Sequence, residues 1–222
     1  MGVLLDLVLP ERCLGCRLEG GLLCDECRSG LLRLGGTLCA RCGAPTAWPV
    51  ERCGECAGRR LSFTSARAAV AYEGAARALV GAWKERGLRR VARLAADLVA
   101  EVVAPPCVRA VTWIPADADR GAWRGVNPAE ELARELGVRW KLPVSVLLTR
   151  SRRVPRQRGL ARGARRANVR GAFLPAATPP GAVAVIDDVY TTGATVGDAA
   201  GALRRAGARA VHVVTFARAV RD

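Results

Sequence analysis

The 222-residue chain contains one histidine, His212, and only 5% of its residues are aromatic. Histidine is the most common general base in enzymes and a frequent metal ligand. The sequence therefore offers no evident general base, and it disfavours metal sites that mix cysteine with histidine. The few aromatic residues form no cluster that would indicate a stacking surface for nucleic acid bases.

The chain begins with an apolar stretch, Met1 to Leu9, that is too short to span a bilayer. It carries Asp6 and has neither a basic flank nor a small-residue cleavage site before Pro10. A cytoplasmic protein without a membrane span is therefore expected. Half of the residues are hydrophobic, and the length suits one α/β domain with a small appendage.

Cysteine, in contrast, is abundant: eight of the nine cysteines form four Cys-x-x-Cys pairs within the first 60 residues. Two such pairs complete a tetrahedral four-cysteine zinc site, so two structural Zn²⁺ sites are predicted in a module spanning residues 1–60. Pairing in sequence order is preferred and a crossed arrangement is the alternative. A disulfide framework is disfavoured because it is typical of exported chains. The predicted ligands are Cys13, Cys16, Cys24 and Cys27 for one site, and Cys39, Cys42, Cys53 and Cys56 for the other.

The net charge of +15 is unevenly distributed along the chain. Residues 1–60 hold eight basic and seven acidic residues, and eight thiolates would make this module acidic even with two zinc ions bound. The segment Arg150 to Arg170 holds nine arginines and no acid. This clustering favours binding of a polyanion, either pyrophosphate or a nucleic acid backbone, over a merely solvated basic loop.

An acid pair near the C-terminus marks a candidate ligand site. The apolar run Val183 to Ile186 predicts a buried parallel strand, and Asp187 and Asp188 follow at its carboxyl end, where α/β sheets bind ligands. The next residues supply hydroxyls, a flexible glycine and a helix start, which suit a phosphate group. The alternative is that the acids only end the strand and cap the helix. A capping role would require a helix that begins earlier in the chain, whereas we expect the helix to begin at Thr195. The predicted phosphate loop consists of Thr191, Thr192, Gly193, Ala194 and Thr195.

Strands and helices alternate from residue 61 to 222, which predicts a parallel sheet flanked by helices. Asn127 and Pro128 mark a helix start with a capping amide and a proline in the first turn. Gly87, Gly137 and Gly207 are interpreted as helix ends. The expected strands are 66–72, 108–114, 144–148, 183–187 and 210–217, and the expected helices are 75–104 with a break, 127–136 and 195–206.

The segment Val183 to Thr195 resembles the ribose-phosphate signature of type I phosphoribosyltransferases. Over nearly its full length the chain resembles the ComF family of competence proteins, which join a zinc ribbon to a phosphoribosyltransferase-like domain. Val126 and Pro128 depart from the family pattern, which has phenylalanine and glutamine there. The resemblance also rests on a set of shorter matches: Ile114, Pro115, Arg120, Arg124, Gly125, Asn127, Gln157, Leu160, residues 166–169 and residues 171–173.

By this resemblance, Asp187 and Asp188 would act as the catalytic pair and hold the ribose hydroxyls of phosphoribosyl pyrophosphate (PRPP). The loop Thr191 to Thr195 would hold the 5′-phosphate, and Arg120 and Arg124 would bind pyrophosphate. Mg²⁺ would accompany PRPP, with Asp117 and Asp119 as candidate ligands.

The resemblance further implies a role in natural transformation, with Arg150 to Arg170 covering PRPP and contacting single-stranded DNA. A competence helicase or other DNA-uptake proteins would be its partners. Two alternatives stay open: an active phosphoribosyltransferase with an unidentified acceptor, and a PRPP-sensing regulator that binds nucleic acid. Enzymatic activity itself is left open because no acceptor pocket is evident in the sequence.

Overall fold

A computed structural model describes residues 11–116, 127–151 and 171–220 of the chain. None of the helices in these ranges combines the length and apolar character needed to cross a bilayer. In chain order the elements are α1 (Asp25–Ser29), β1 (Ser65–Ala71), α2 (Gly74–Arg86), α3 (Arg90–Val102), β2 (Ala110–Trp113), α4 (Pro128–Trp140), β3 (Leu148–Arg150), β4 (Phe173–Pro175), β5 (Ala182–Tyr190), α5 (Ala194–Arg205) and β6 (Ala210–Arg218).

Four strands form one parallel sheet in the order β1-β6-β5-β2. Buried side chains of α2, α3 and α4 pack on one face, and those of α5 pack on the other. The run Val183 to Ile186 is completely buried, as expected for a central parallel strand covered on both sides. The predicted fold class, a parallel sheet flanked by helices, is confirmed.

The cysteine-rich segment precedes the sheet and is joined to its edge. Residues Leu32 and Leu34 pair with β1: the N–H of Leu34 donates to the carbonyl of Ala69, and the N–H of Ala71 donates to the carbonyl of Leu32, both at 2.8 Å. The domain boundary near residue 60 stays a prediction, and these backbone bonds cross it.

Two helix predictions are confirmed at their ends. Gly87 ends α2 in the left-handed conformation, with φ 65°, and separates it from α3. Asn127 caps α4, because its side-chain oxygen accepts a hydrogen bond from the N–H of Ala129 at 3.2 Å. Its amide nitrogen also donates to the carbonyl of Ile114 at 3.1 Å, so the helix start is tied to the end of β2.

Two other boundaries were predicted wrongly. Gly137 does not end α4, which continues to Trp140; a Cβ atom at this position would collide with Val144, so the glycine permits a close approach of the following segment. The expected strand 144–148 is displaced. Val144 forms an isolated bridge with Val111, and the regular strand is β3, which pairs antiparallel with β4.

Candidate functional site

The eight predicted zinc ligands form two separate clusters, each made from consecutive Cys-x-x-Cys pairs. A tetrahedral zinc ion with zinc–sulfur bonds of about 2.3 Å holds its sulfur atoms about 3.8 Å apart. The Sγ atoms of Cys16 and Cys24 lie 3.7 Å apart, and those of Cys42 and Cys53 lie 3.5 Å apart. All eight cysteines are free thiols, so the cysteine residues fit two zinc sites paired in sequence order.

The polypeptide prepares part of each cluster for metal binding. Burial raises the pKa of Cys13, but backbone N–H groups that donate to its sulfur outweigh this effect and lower the pKa to about 6. The same balance lowers the pKa of Cys39 to about 7. Burial and neighbouring cysteines instead raise the pKa of Cys27 to about 12. A cation is therefore needed to hold all four sulfurs of a cluster as thiolates.

The two clusters have different surroundings, and we name the segments that carry them the first ribbon (residues 11–30) and the second ribbon (residues 37–59). In the first ribbon, Cys13 is buried and Cys16 is exposed. Its apolar side chains, among them Leu14 and Leu22, pack against the core beneath α2 and α3. In the second ribbon three cysteines are buried, namely Cys39, Cys42 and Cys56.

The acid pair lies in the C-terminal half of β5. The prediction ended this strand at Asp187, but β5 continues to Tyr190 because it stays paired with β6 as far as Arg218. On the other side β2 ends at Trp113, opposite Ile186. Asp187 and Asp188 therefore lie beyond the end of one neighbouring strand, at the carboxyl edge of the sheet.

Both aspartates are held by their own backbone. The Oδ1 atom of Asp187 accepts a hydrogen bond from the N–H of Asp188 at 2.9 Å, and the Oδ1 atom of Asp188 accepts from the N–H of Val189 at 2.7 Å. Asp188 is buried, whereas Asp187 keeps partial exposure. The backbone thus fixes the position of both carboxylates.

Two cations accompany the acid pair. The Nζ atom of Lys84, on α2, lies 2.5 Å from Oδ2 of Asp188. Burial raises the pKa of Asp187 to about 7, and the charges of Lys84 and Arg150 partly oppose this rise. Sequence reasoning missed Lys84, although it is one of only two lysines in a chain with 33 arginines, and that rarity was an available signal.

The predicted phosphate loop connects β5 to α5. Gly193 precedes the helix with φ 72°, and α5 begins at Ala194, one residue before the predicted start. The N–H of Ala194 donates to the hydroxyl of Thr192 at 3.3 Å. The first N–H groups of a helix have no partner within the helix, so this loop presents donors close to the acid pair.

Further predicted residues lie outside the described part of the chain. These are Asp117, Asp119, Arg120, Arg124 and the arginines of residues 152–170. Two described residues that precede these ranges, however, lie close together: Nη1 of Arg150 is 3.5 Å from the carbonyl oxygen of Pro115.

The residues that follow the arginine-rich segment are also anchored beside the site. The N–H groups of Gly171 and Phe173 donate to the two carboxylate oxygens of Asp198, on α5, at 2.9 and 3.2 Å. The guanidinium of Arg150 stacks 5.2 Å from the ring centre of Phe173. Both flanks of residues 152–170 therefore lie near the helix that begins at the phosphate loop.

Comparison with known proteins agrees with this arrangement. Residues 4–57 match the double zinc ribbon domain family. The chain is 28% identical to Competence protein F of Haemophilus influenzae, over 94% of this chain and 97% of that protein. It is 29% identical to DNA utilization protein YhgH of Salmonella typhi, over 96% of this chain and 99% of that protein.

Among solved structures, an orotate phosphoribosyltransferase from Aeropyrum pernix is 22% identical with a TM-score of 0.36, and the match covers 67% of each chain. Together, the relatives that match over nearly the full length, the matched ribbon domain and the two four-cysteine clusters confirm the resemblance of this chain to Competence protein F: a double zinc ribbon precedes a parallel sheet flanked by helices.

Proposed function

We propose that this protein binds PRPP at the carboxyl edge of its sheet and acts in the use of DNA taken up by the cell. The observation that carries the proposal is the position of the acid pair, next to a helix-opening loop and between two cations. The relatives named for competence and DNA utilization support the second half of the proposal.

The acid pair suits the two vicinal hydroxyls of a ribose ring. A carboxylate accepts hydrogen bonds from hydroxyl groups, and such bonds favour its ionised form. Lys84 stabilises the charge of the buried Asp188, while Asp187, with a pKa of about 7, is ready to become fully ionised when a hydroxyl donates to it. The pair therefore selects a diol over a simple anion.

The phosphate loop suits the 5′-phosphate of the same sugar. Gly193 adopts a positive φ that lets the backbone approach an anion closely, and the start of α5 favours negative charge. Mg²⁺ would neutralise the charge of the pyrophosphate group. Arg120 and Arg124 are the residues proposed to bind that group. The described residues therefore fit the ribose 5-phosphate end of PRPP, and the pyrophosphate end is assigned to residues outside the described ranges.

The arginine-rich segment is the proposed contact for single-stranded DNA. Its described flanks, Arg150 and Gly171, lie beside the site, so an anionic ligand there would be close to the segment. Binding through phosphate contacts should weaken steeply with salt concentration. Replacement of Arg152, Arg153 and Arg156 by alanine should then reduce both the affinity and its salt dependence.

Isothermal titration calorimetry with PRPP and Mg²⁺ tests the proposal directly. Wild-type protein should bind, and the double variant Asp187→Asn/Asp188→Asn should lose binding. Glu85→Gln, which removes an exposed carboxylate next to Lys84, is the matched control and should bind like wild type. Absence of binding by the wild type, or unchanged binding in the double variant, would overturn the proposal.

The raised pKa of Asp187 favours a second candidate function, phosphoribosyl transfer. A carboxyl group with a pKa near 7 can accept a proton from an acceptor nucleophile as that atom bonds to C1 of the ribose and pyrophosphate leaves. Release of pyrophosphate from PRPP, measured with and without single-stranded DNA, distinguishes transfer from binding alone.

A further inference from the structure

Two side chains connect the second ribbon to the end of β5 and to the phosphate loop. One is Arg59, at the end of the ribbon, which reaches Thr192. The other is Arg218, at the end of β6, which reaches back to the ribbon at Cys42 and Glu55. The ribbon is therefore in direct contact with the elements that would hold the sugar phosphate.

The contact of Arg59 fixes one peptide group of the loop. Its Nη2 atom donates to the carbonyl oxygen of Thr192 at 2.6 Å. In a planar trans peptide the carbonyl and the following N–H point in opposite directions. When Arg59 holds the carbonyl of Thr192 toward the ribbon, it also directs the N–H of Gly193 away from the ribbon. The arginine thus sets the orientation of a candidate phosphate donor without touching the ligand.

Arg218 joins the second ribbon to Tyr190, which packs against Gly193 of the same loop. It is buried, donates to the carbonyl of Cys42 at 2.7 Å and forms an ion pair with Glu55 at 2.9 Å. Its guanidinium stacks 4.5 Å from the ring centre of Tyr190. Tyr190 packs so closely under Gly193 that a Cβ atom there would collide with the tyrosine hydroxyl.

The hydroxyl of Tyr190 is buried and finds no hydrogen-bond partner among the residues that the structure describes. An unpaired buried hydroxyl is costly, which makes a polar partner supplied at this loop favourable. The tyrosine is therefore a second polar group directed at the turn that Arg59 orients.

The residues that make these contacts belong to one turn of the ribbon. Glu55 lies between Cys53 and Cys56, and the N–H of Arg59 donates to the carbonyl of Cys56 at 3.2 Å. A metal ion held by these cysteines would fix the turn and, with it, the side chains of Glu55 and Arg59. Zinc in the second cluster would then stabilise the orientation of the phosphate loop.

We propose that Arg59 is a positioning residue of the sugar-phosphate site, so that the second ribbon forms part of that site. This inference rests on the proposed binding of PRPP. It assigns the ribbon a specific effect on the 5′-phosphate end of the ligand, because Arg59 contacts the loop at Thr192 and the acid pair is held by β5.

The test is calorimetric titration of the full chain with two probes, ribose 5-phosphate and magnesium pyrophosphate. Arg59→Ala should weaken binding of ribose 5-phosphate about tenfold, the effect expected from one charge-assisted hydrogen bond. It should leave pyrophosphate binding unchanged. Arg59→Lys, which keeps a charged donor, should restore part of the lost affinity.

Arg60→Ala is the matched control, since it removes the same charge from an exposed neighbouring position. Equal losses in Arg60→Ala and Arg59→Ala would show a general charge effect and overturn the inference. So would unchanged ribose 5-phosphate binding in Arg59→Ala, or equal loss for both probes.

Zinc content is measured for every variant, and two zinc ions per chain show that both ribbons are intact. If Arg59→Ala loses zinc, Arg59→Lys decides: intact zinc with selectively weakened ribose 5-phosphate binding supports the inference, and wild-type affinity overturns it. Failure of the wild type to bind ribose 5-phosphate would instead overturn the proposed function and the inference with it.

Discussion

The two ribbons carry the same four ligands but contact different parts of the molecule. The first ribbon packs apolar side chains against the core and is paired with α3, and its Cys16 is exposed to solvent. The second ribbon has three buried cysteines and is joined through Arg59 and Arg218 to the loop after β5. These contacts predict that identical metal chemistry serves attachment in the first ribbon and organisation of the proposed ligand site in the second.

The anchors of the two ribbons also differ in burial. The first ribbon is tied to α3 by the pair Glu11 and Arg90, at 2.5 Å, and by the pair Arg28 and Glu101. These side chains are largely exposed, and exposed pairs contribute little free energy. The second ribbon uses Arg218, whose side chain is 2% exposed. Its loss would leave buried acceptors and Glu55 without their partner.

Removal of one zinc ligand from each cluster should give the largest difference between the two ribbons. We expect Cys53→Ser to lose one zinc ion and to weaken PRPP binding about a hundredfold, because this turn carries Arg59, which holds the loop at Thr192, and Glu55, which pairs with Arg218. Cys16→Ser should also lose one zinc ion but keep its PRPP affinity within about twofold. Zinc analysis and calorimetry measure both. Equal losses of affinity would abolish the distinction between the ribbons.

Replacement of the buried anchor should have the next largest effect. Arg218→Met removes a cation that serves Cys42, Glu55 and Tyr190, and it should lower the free energy of unfolding by about 3 kcal/mol. Urea unfolding at constant zinc measures the change. A loss below about 1 kcal/mol would place this anchor in the same class as exposed ion pairs.

The pH dependence of PRPP binding should be independent of the first ribbon. Because burial raises the pKa of Asp187 to about 7, the free carboxyl is protonated below that pH and must release its proton to accept a ribose hydroxyl. PRPP affinity should therefore fall roughly tenfold per pH unit below 7.

Calorimetry between pH 6 and 8 should find the same midpoint in wild type and in Cys16→Ser, whereas Asp187→Asn should remove the pH dependence of PRPP binding. A pH midpoint that shifted in Cys16→Ser would contradict the independence of the first ribbon.

The effect of rising pH on the stability of the ligand-free protein has the opposite sign. A folded-state pKa above that of the unfolded chain makes the carboxyl increasingly destabilising as pH rises toward 7. Asp187→Asn should therefore stabilise the ligand-free protein more at pH 8 than at pH 6.

The smallest effect is expected at the exposed anchor. Arg90→Ala breaks the pair with Glu11, in which the arginine side chain is 68% exposed, and should cost less than about 1 kcal/mol of unfolding free energy. PRPP affinity should be unchanged. A cost equal to that of Arg218→Met would show that the first ribbon is anchored as firmly as the second.

The parts of this structure that the sequence predicted depend on local signals. Four Cys-x-x-Cys pairs identify metal ligands by spacing, and the order strand, acid pair, glycine turn and helix identifies the loop after β5. Asn127 predicted a helix start because a cap acts on its own first turn. Gly137 misled the prediction, since a glycine serves close packing as well as helix termination.

The parts that could not be predicted depend on packing between distant residues. Lys84 reaches Asp188 across more than one hundred positions, and Arg59 reaches Thr192 across 133. Neither residue lies in a motif, and arginine is so frequent in this chain that a single one carries no signal. Their roles follow from where α2 and the second ribbon pack against the sheet.

The pairing of Leu32 and Leu34 with β1 has a consequence for how the protein can be divided. β1 is the outer strand of the parallel sheet, and these two residues occupy its open backbone groups. An unprotected strand edge promotes association with other chains. A fragment that starts at residue 61 would expose this edge and should aggregate, so the sheet domain is best studied with its N-terminal segment attached. The segment that contains Leu32 and Leu34 thus also protects the protein from self-association through β1.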